Sequence, residues 1–458
     1  MLSQNSYIHN LPYEVLREIL TYLPLFTRED VEGCNPAKVP KGVVTYQVCK
    51  LWRTIVRNIP ELWSVIPLHN RRWAVRALRY SAPASISIIV DLAQLCDSTR
   101  YRDTVARALR FVSRARELSF SWLQGHPRLR LAVVSDEHLK HLHEILGSLE
   151  CVEAPFLESF TFADFPAHLQ HLPMQHITND LFCGAPLPRL RHLSLAHVKL
   201  CETSSLFHAP LITLNLDTCS LIAEEEILNI AEDEPIVQTT RIERLLGVLR
   251  RLPMLELFVL REMEFENADP DGPFDSDMYA LHGIALPKLD MAVLSGGYRD
   301  IGMLLRYLSL SVDVDLSIKC YVDSDWSPFL PDMCPTLVRM FHDGLHNALN
   351  AGLAFQDIHV SFRYKELEGV DVLRIVTSNP RPFARRVQGH CGRDGIPATR
   401  VSLTMTHRQQ VWLADNIMGL HAGVLLAGIP ALSEFKILTN KGWDIPAGLE
   451  DHMRRRRA

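Results

Sequence analysis

No stretch of this sequence is long and apolar enough to span a bilayer. The nearest, Ile417 to Leu432, is interrupted by His421 and Pro430 and falls short of the ~20 residues that a transmembrane helix needs. Met1 to Asn10 hold no Lys or Arg and no apolar core, so a secretory signal is not expected. Paired cysteines are missing as well. The ten cysteines, at 34, 49, 96, 151, 183, 201, 219, 320, 334 and 391, never form a C-x-x-C pair, which reads as reduced thiols of an intracellular protein, cytoplasmic or nuclear. An excess of one charge is also lacking: a formal net charge of -5 and a pI near 6.5 create no global field to draw in nucleic acid. Finally, the chain has no Gly-rich phosphate loop, no Gly-x-Ser-x-Gly elbow and no dinucleotide fingerprint. Neither a cofactor nor enzymatic activity is expected.

What is present describes an ordinary folded chain, with 47% hydrophobic and 22% charged residues, long enough for roughly three domains. Near the start, Val15, Leu16, Ile19, Leu20 and Leu23 fall at helical spacing behind Leu11-Pro12, a placement where the missing N–H of proline costs nothing. A second apolar cluster places Val48, Trp52, Ile55 and Val56 at the same spacing and runs into Pro60-Glu61-Leu62-Trp63. Between them, Pro24 to Val44 is dense in Pro and Gly and reads as a long loop. A module this small cannot bury so much aliphatic and indole surface within itself, so part of that face is expected to meet another protein.

Arg71 to Ala82 follows as a short basic helix, Ser85 to Val90 as a strand, and residues 101 to 117 as an arginine-rich helix. From about residue 118 one unit recurs: Pro, then Leu, then two apolar residues in alternation. It appears as Pro155 to Phe162, Pro188 to Leu195 and Pro253 to Leu260, with looser copies after Pro210, Pro287 and Pro430. Proline ends the preceding segment, the first Leu anchors a turn, and the alternating pair marks a half-buried strand. The spacing is irregular beside the 20–29 residues of regular leucine-rich repeats. Helical segments fit between the strands at Ile242 to Arg251 and Leu337 to Leu353, and further strands are expected at Val312 to Val322, Ile358 to Phe362 and Arg400 to Met405. The expected fold is α/β: an N-terminal all-α module, then an irregular leucine-rich-repeat-like solenoid with a parallel sheet on one face and helices on the other. Acidic insertions at Glu224 to Glu226, Glu232 to Glu234 and Glu262 to Asp277 read as rim loops.

Three further constellations bear on chemistry. His390-Cys391-Gly392-Arg393-Asp394-Gly395 is similar to a phosphatase loop but lacks the Arg that would close it on an anion. The histidines at 138, 141 and 143, and at 168, 171 and 176, have no partners in a metal-ligand pattern, so no metal site is expected. Arg381, Arg385, Arg386, Arg393 and Arg400 form a basic stretch without interleaved aromatics, which disfavours nucleic acid; Arg385 and Arg386 are the candidates for contacting a phosphorylated or acidic substrate.

The N-terminal segment resembles the F-box domain, in which Leu-Pro-x-Glu-x-Leu-x-x-Ile opens the first helix and Val-Cys-x-x-Trp-Arg marks a later one. The match covers about one seventh of the chain and is similar to F-box proteins numerous in mushroom-forming fungi. It implies a substrate-recruiting subunit of an SCF-type ubiquitin ligase that binds a Skp-type adaptor, and through it a cullin, with the repeat region holding a protein substrate. The alternative is an F-box scaffold acting outside a ligase. By this resemblance the adaptor-binding residues are Leu11, Pro12, Leu16, Ile19, Leu20, Val48, Trp52, Leu62 and Trp63. The expected organisation is an F-box at 5–66, connecting helices and strand at 67–117, the repeat domain at 118–450 and a basic tail at 451–458.

Overall fold

The computed structural model describes residues 11–32, 42–122, 136–163, 174–223, 241–263, 265, 284–309, 314–321, 357–365, 370–377, 401–407 and 434–439. The helix at Leu337 to Leu353, the His390 to Gly395 loop, His168, His171, the arginines from 381 to 400, the basic tail and most of the acidic insertions lie outside them. The chain divides into two compact units, residues 1–200 with 204–210, and residues 201–203 with 211–458.

The first unit opens with four short helices, α1 (Tyr13–Thr21), α2 (Arg28–Glu32), α3 (Val43–Gln47) and α4 (Lys50–Arg57), and a 3-10 turn at Pro60–Trp63. The segment expected as a loop therefore holds α2 and the start of α3. The local signal was Thr27-Arg28-Glu29-Asp30, a capping box: Asp30 Oδ2 accepts from Thr27 N–H at 3.0 Å and Asp30 N–H donates to Thr27 Oγ1 at 3.1 Å. The insertion returns to the point where it left. A Cβ on Gly42 would lie 2.2 Å from the Pro24 carbonyl oxygen, and Leu25 N–H donates to the Leu62 carbonyl at 3.4 Å. Glycine at 42 is what lets the two halves close on each other.

Beyond the turn come β1 (Val65–Ile66), α5 (Arg71–Tyr80), β2 (Ile86–Asp91), α6 (Leu92–Asp97), α7 (Thr99–Leu109), β3 (Ala115–Ser121), α8 (Asp136–Leu149), β4 (Ser159–Ala163), β5 (Gln175–Ile177), β6 (His192–Ala196) and β7 (Val198–Cys201). The arginine-rich helix stops short of residue 117: α7 ends at Leu109, and Ala115 to Ser121 pair with β2 as a strand whose Ala115, Leu118 and Phe120 are buried. Asn70, Asp91 and Ser98 cap α5, α6 and α7 through their side chains. Strands β1, β2, β3, β4 and β6 run parallel and adjacent in that order. Register puts Ile88, Leu118, Phe160 and Leu193 in one row and Val90, Phe120, Phe162 and Leu195 in the next, and all eight are fully buried. The alternate rows carry Ser87, Glu117, Ser159 and His192, then Ile89, Ser119, Thr161 and Ser194.

The second unit contains β8 (Thr213–Asp217), β9 (Ser220–Ile222), α9 (Ile242–Arg250), β10 (Leu257–Arg261), β11 (Ile284–Ala285), β12 (Met291–Gly297), α10 (Tyr298–Tyr307), β13 (Leu308–Ser309), β14 (Asp315–Tyr321), β15 (Asp357–Lys365), β16 (Val370–Thr377), β17 (Val401–His407) and β18 (Glu434–Thr439). Strands β8, β10, β12, β14 and β17 are parallel neighbours. The expectation of a purely parallel sheet is corrected at the end of the ladder: β16 runs antiparallel to both β17 and β15, and only β15 with β18 restores the parallel sense. Sequence alternation marks a strand without marking its direction. The architecture is thus mixed α/β, with a largely parallel sheet and intervening helices.

The recurring Pro-x-Leu has one geometry. Leu157, Leu190, Leu255 and Leu289 each donate a backbone N–H across a turn to the residue before the proline, at 3.1, 3.1, 3.2 and 3.1 Å. Proline thereby occupies the second position of a β-turn, where its fixed φ is already correct. The following residue bonds to the neighbouring strand, as in Arg191 N–H to the Glu158 carbonyl and Asp290 N–H to the Glu256 carbonyl, both 2.8 Å. Three strands also end on a left-handed residue: His197, Thr218 and Glu262 have φ of 56°, 50° and 50°.

Candidate functional site

Amphipathic α1 carries Tyr13, Val15, Leu16, Ile19 and Leu20 on one side, an apolar face wider than a single contact stripe covers. Packing divides the helix. Leu16 and Leu20 are 1% exposed, whereas Tyr13, Val15, Ile19 and Leu23 are 42 to 43% exposed and Tyr22 is 75% exposed. The same division runs through α3 and α4: Val43, Tyr46, Ile55 and Val56 are buried, but Val44, Val48 and Leu51 lie open. Of the eleven large apolar side chains exposed among the described residues, eight belong to this segment between Tyr13 and Leu51. Soluble surfaces tolerate scattered apolar residues, and a concentration of this kind marks an interaction surface.

The residues named from the resemblance therefore separate into two sets. Ile19 and Val48 stand on the exposed ledge, with Pro12 exposed beside them, Leu11 half-buried and Trp52 half-buried. Leu16, Leu20, Leu62 and Trp63 are the correction: they form the floor beneath the ledge and face inward. A charge at Leu16 would test folding rather than docking. Tyr13, Tyr22, Leu23, Val44 and Leu51 join the exposed set without having been named for docking. A count of apolar residues around the helical wheel exceeds what one stripe buries, and that excess was the available signal.

Trp63 is the centre of the floor. It is fully buried, its Nε1–H donates to the Val56 carbonyl at 2.9 Å, and its ring lies 5.0 Å from Tyr80, 5.7 Å from Tyr46 and 6.3 Å from Trp73. Phe26 closes the cluster at 5.9 Å from Trp73. Because Trp73 and Tyr80 belong to α5, the helical module is welded to the strand region that follows it. Trp52 differs: its Nε1 is buried with no acceptor, an arrangement that costs about 1–3 kcal/mol.

No family model, curated protein or solved structure matches this chain. The surface must therefore be read on its own chemistry. Around the ledge, Arg53 and Arg57 are held against Tyr46: Arg57 Nε donates to Tyr46 Oη at 2.9 Å and Arg53 Nε to the Tyr46 carbonyl at 3.3 Å. Their guanidinium carbons sit 5.4 and 5.5 Å from that ring, a cation–π geometry. Such an arrangement supplies an apolar platform with fixed positive charge on one side. Such a surface is suited to binding. Among the described residues no helix is long and apolar enough to cross a membrane.

Proposed function

We propose that this chain is the substrate-recruiting F-box subunit of an SCF-type ubiquitin ligase, docking a Skp-type adaptor on the α1, α3 and α4 ledge. The observation that carries the reading is the concentration of exposed Tyr13, Val15, Ile19, Tyr22, Leu23, Val44, Val48 and Leu51 on the segment whose sequence resembles an F-box. Burying apolar surface contributes roughly 25 cal/mol per Å², and that gain is open only to a partner that covers these side chains. The remainder of the chain is read as an irregular leucine-rich-repeat-like solenoid that holds a protein substrate. Chain-order adjacency of parallel strands and the repeated Pro-x-Leu turn support that reading.

The test is capture of a purified Skp-type adaptor by the full chain. Ile19→Asp and Val48→Asp place charges on exposed positions, so both variants are expected to keep the wild-type melting temperature and to lose adaptor affinity at least tenfold. Wild-type capture by both variants refutes the reading. Co-purification of a cullin with the adaptor separates a ligase subunit from a scaffold that acts elsewhere.

A further inference from the structure

Away from the ledge, the first unit holds two solvent-open thiols whose backbones meet. Among the cysteines whose exposure is described, Cys49 is half-buried and Cys201 and Cys219 are buried, whereas Cys151 and Cys183 are exposed. Helix α8 closes in a turn just before the first of them: Glu150 N–H donates to the Gly147 carbonyl at 3.2 Å, and Val152 N–H donates to the Leu149 carbonyl at 3.3 Å. The Glu150 carbonyl is thereby left to accept from Cys183 N–H, at 3.1 Å. That carbonyl is the one joined to the Cys151 nitrogen. Adding the fixed lengths of the peptide unit and of the N–Cα bond to this hydrogen bond leaves the two Cα atoms no more than about 7 Å apart. A disulfide spans Cα separations of about 4.4–6.8 Å.

Both sides of this meeting are anchored. Leu149 and Phe182, the neighbours that lead into each turn, are fully buried, and the Phe182 ring packs edge to face on Phe160 at 5.4 Å. Thr178 Oγ1 donates to Glu150 Oε1 at 2.6 Å, and Gly184 N–H donates to the Asp180 carbonyl at 3.2 Å. Phe182 and Cys183 have φ of 56° and 61°, a left-handed conformation that such residues keep only where their surroundings fix it. Cys183 is therefore held beside Cys151 by packing on one side and by hydrogen bonds on the other, while both side chains stay open to reagents in water.

We propose that Cys151 and Cys183 form a redox modification site, a dithiol that a small-molecule disulfide converts to an intramolecular disulfide. One cysteine, as its thiolate, attacks a sulfur of the reagent; the S–S bond of the reagent breaks and half of it leaves as a thiolate. The second cysteine then attacks the protein sulfur of the mixed disulfide and displaces the other half. One S–S bond forms in the chain as one is lost from the reagent, the two thiol protons pass to the two thiols released, and two electrons move from protein to reagent. The site is independent of the docking ledge and does not rest on the ligase reading.

The experiment exposes the reduced full chain to oxidised glutathione under native conditions, blocks the remaining thiols with N-ethylmaleimide and maps the linkages by mass spectrometry of the digest. The peptide linking Cys151 to Cys183 is expected to be the main product at both positions, and dithiothreitol is expected to reverse it. Cys151→Ser and Cys183→Ser remove the resolving partner, so each is expected to accumulate the glutathione adduct on the cysteine that remains at least tenfold over wild type. Cys201→Ser, at a buried thiol, leaves the linked peptide unchanged. Should Cys183→Ser fail to fold, Cys151→Ser carries the test. Stable glutathione adducts outnumbering the linked peptide in the wild-type chain, absence of reaction at either cysteine, or a linked peptide that forms only in urea overturns the proposal.

Discussion

The helical module and the strand ladder of the first unit handle apolar residues in opposite ways. In β2 to β6 one set of rows is wholly apolar, with Ile88, Leu118, Phe160 and Leu193, and the alternate rows are mostly Ser, Thr and other polar residues, of which Ser87 and Ser119 are also buried. In α1, α3 and α4 the inner positions are equally apolar, but the outer ones are Val15, Ile19, Val44 and Val48. A strand's period of two sends apolar and polar side chains to opposite faces of the sheet. The helices could have sorted theirs with the same clarity and do not, so their second apolar face answers to something other than this chain's own stability.

That contrast can be broken or sharpened by substitution, and floor residues should produce the largest effect. Trp63→Ala removes the centre of the aromatic cluster, with an expected loss of about 3–5 kcal/mol in denaturant unfolding. Phe160→Ala, in the core row of the ladder, belongs to the same class. Retention of wild-type stability by Trp63→Ala would mean that the indole is not the floor of the module.

Gly42→Ala comes next, because its Cβ would enter the Pro24 carbonyl. Forcing the two halves apart should cost about 1–3 kcal/mol, and unfolding midpoints will show it.

A pH effect belongs to the segment just after the helical module. Burial holds His69 below its ordinary 6.5, with Asp30 acting in the opposite direction. The unfolded chain thus takes up a proton more readily than the folded one, so the stability present above pH 6.5 declines as the pH is lowered through the folded-state value. Melting temperatures at pH 7.5 and 5.5 should differ, and His69→Gln should narrow the gap.

Pro253→Ala is expected to lose only about 0.4–1 kcal/mol, mainly by freeing the unfolded chain, as judged by chemical denaturation. The smallest stability change belongs to the ledge itself. Ile19→Asp should alter unfolding by less than about 0.5 kcal/mol while its adaptor capture collapses, and that dissociation of stability from binding is the sharpest form of the contrast.

Much of the local structure was legible in residue order. The spacing of Val15 to Leu23 announces α1, Arg71 to Ala82 announces α5, and the Pro-x-Leu unit marks β4, β6, β10 and β12 close to their observed bounds. Other features were hidden for physical reasons. Helix α2 sits among loop-forming residues and depends on a local capping box. The antiparallel turn of β16 depends on partners far away in sequence, and the inward or outward fate of Leu16 against Ile19 is set by which stripe α4 covers. The candidate substrate contacts at Arg385 and Arg386 lie outside the described residues, while Cys151 and Cys183, far apart in sequence, meet only through a hydrogen bond between two turns.

Sequence by itself determined where this chain makes helices, strands and turns, because period, proline and capping chemistry act within a few residues. Tertiary structure alone decided which apolar side chains stay in water and which strands turn antiparallel, because both depend on the packing of segments that no local pattern brings into contact.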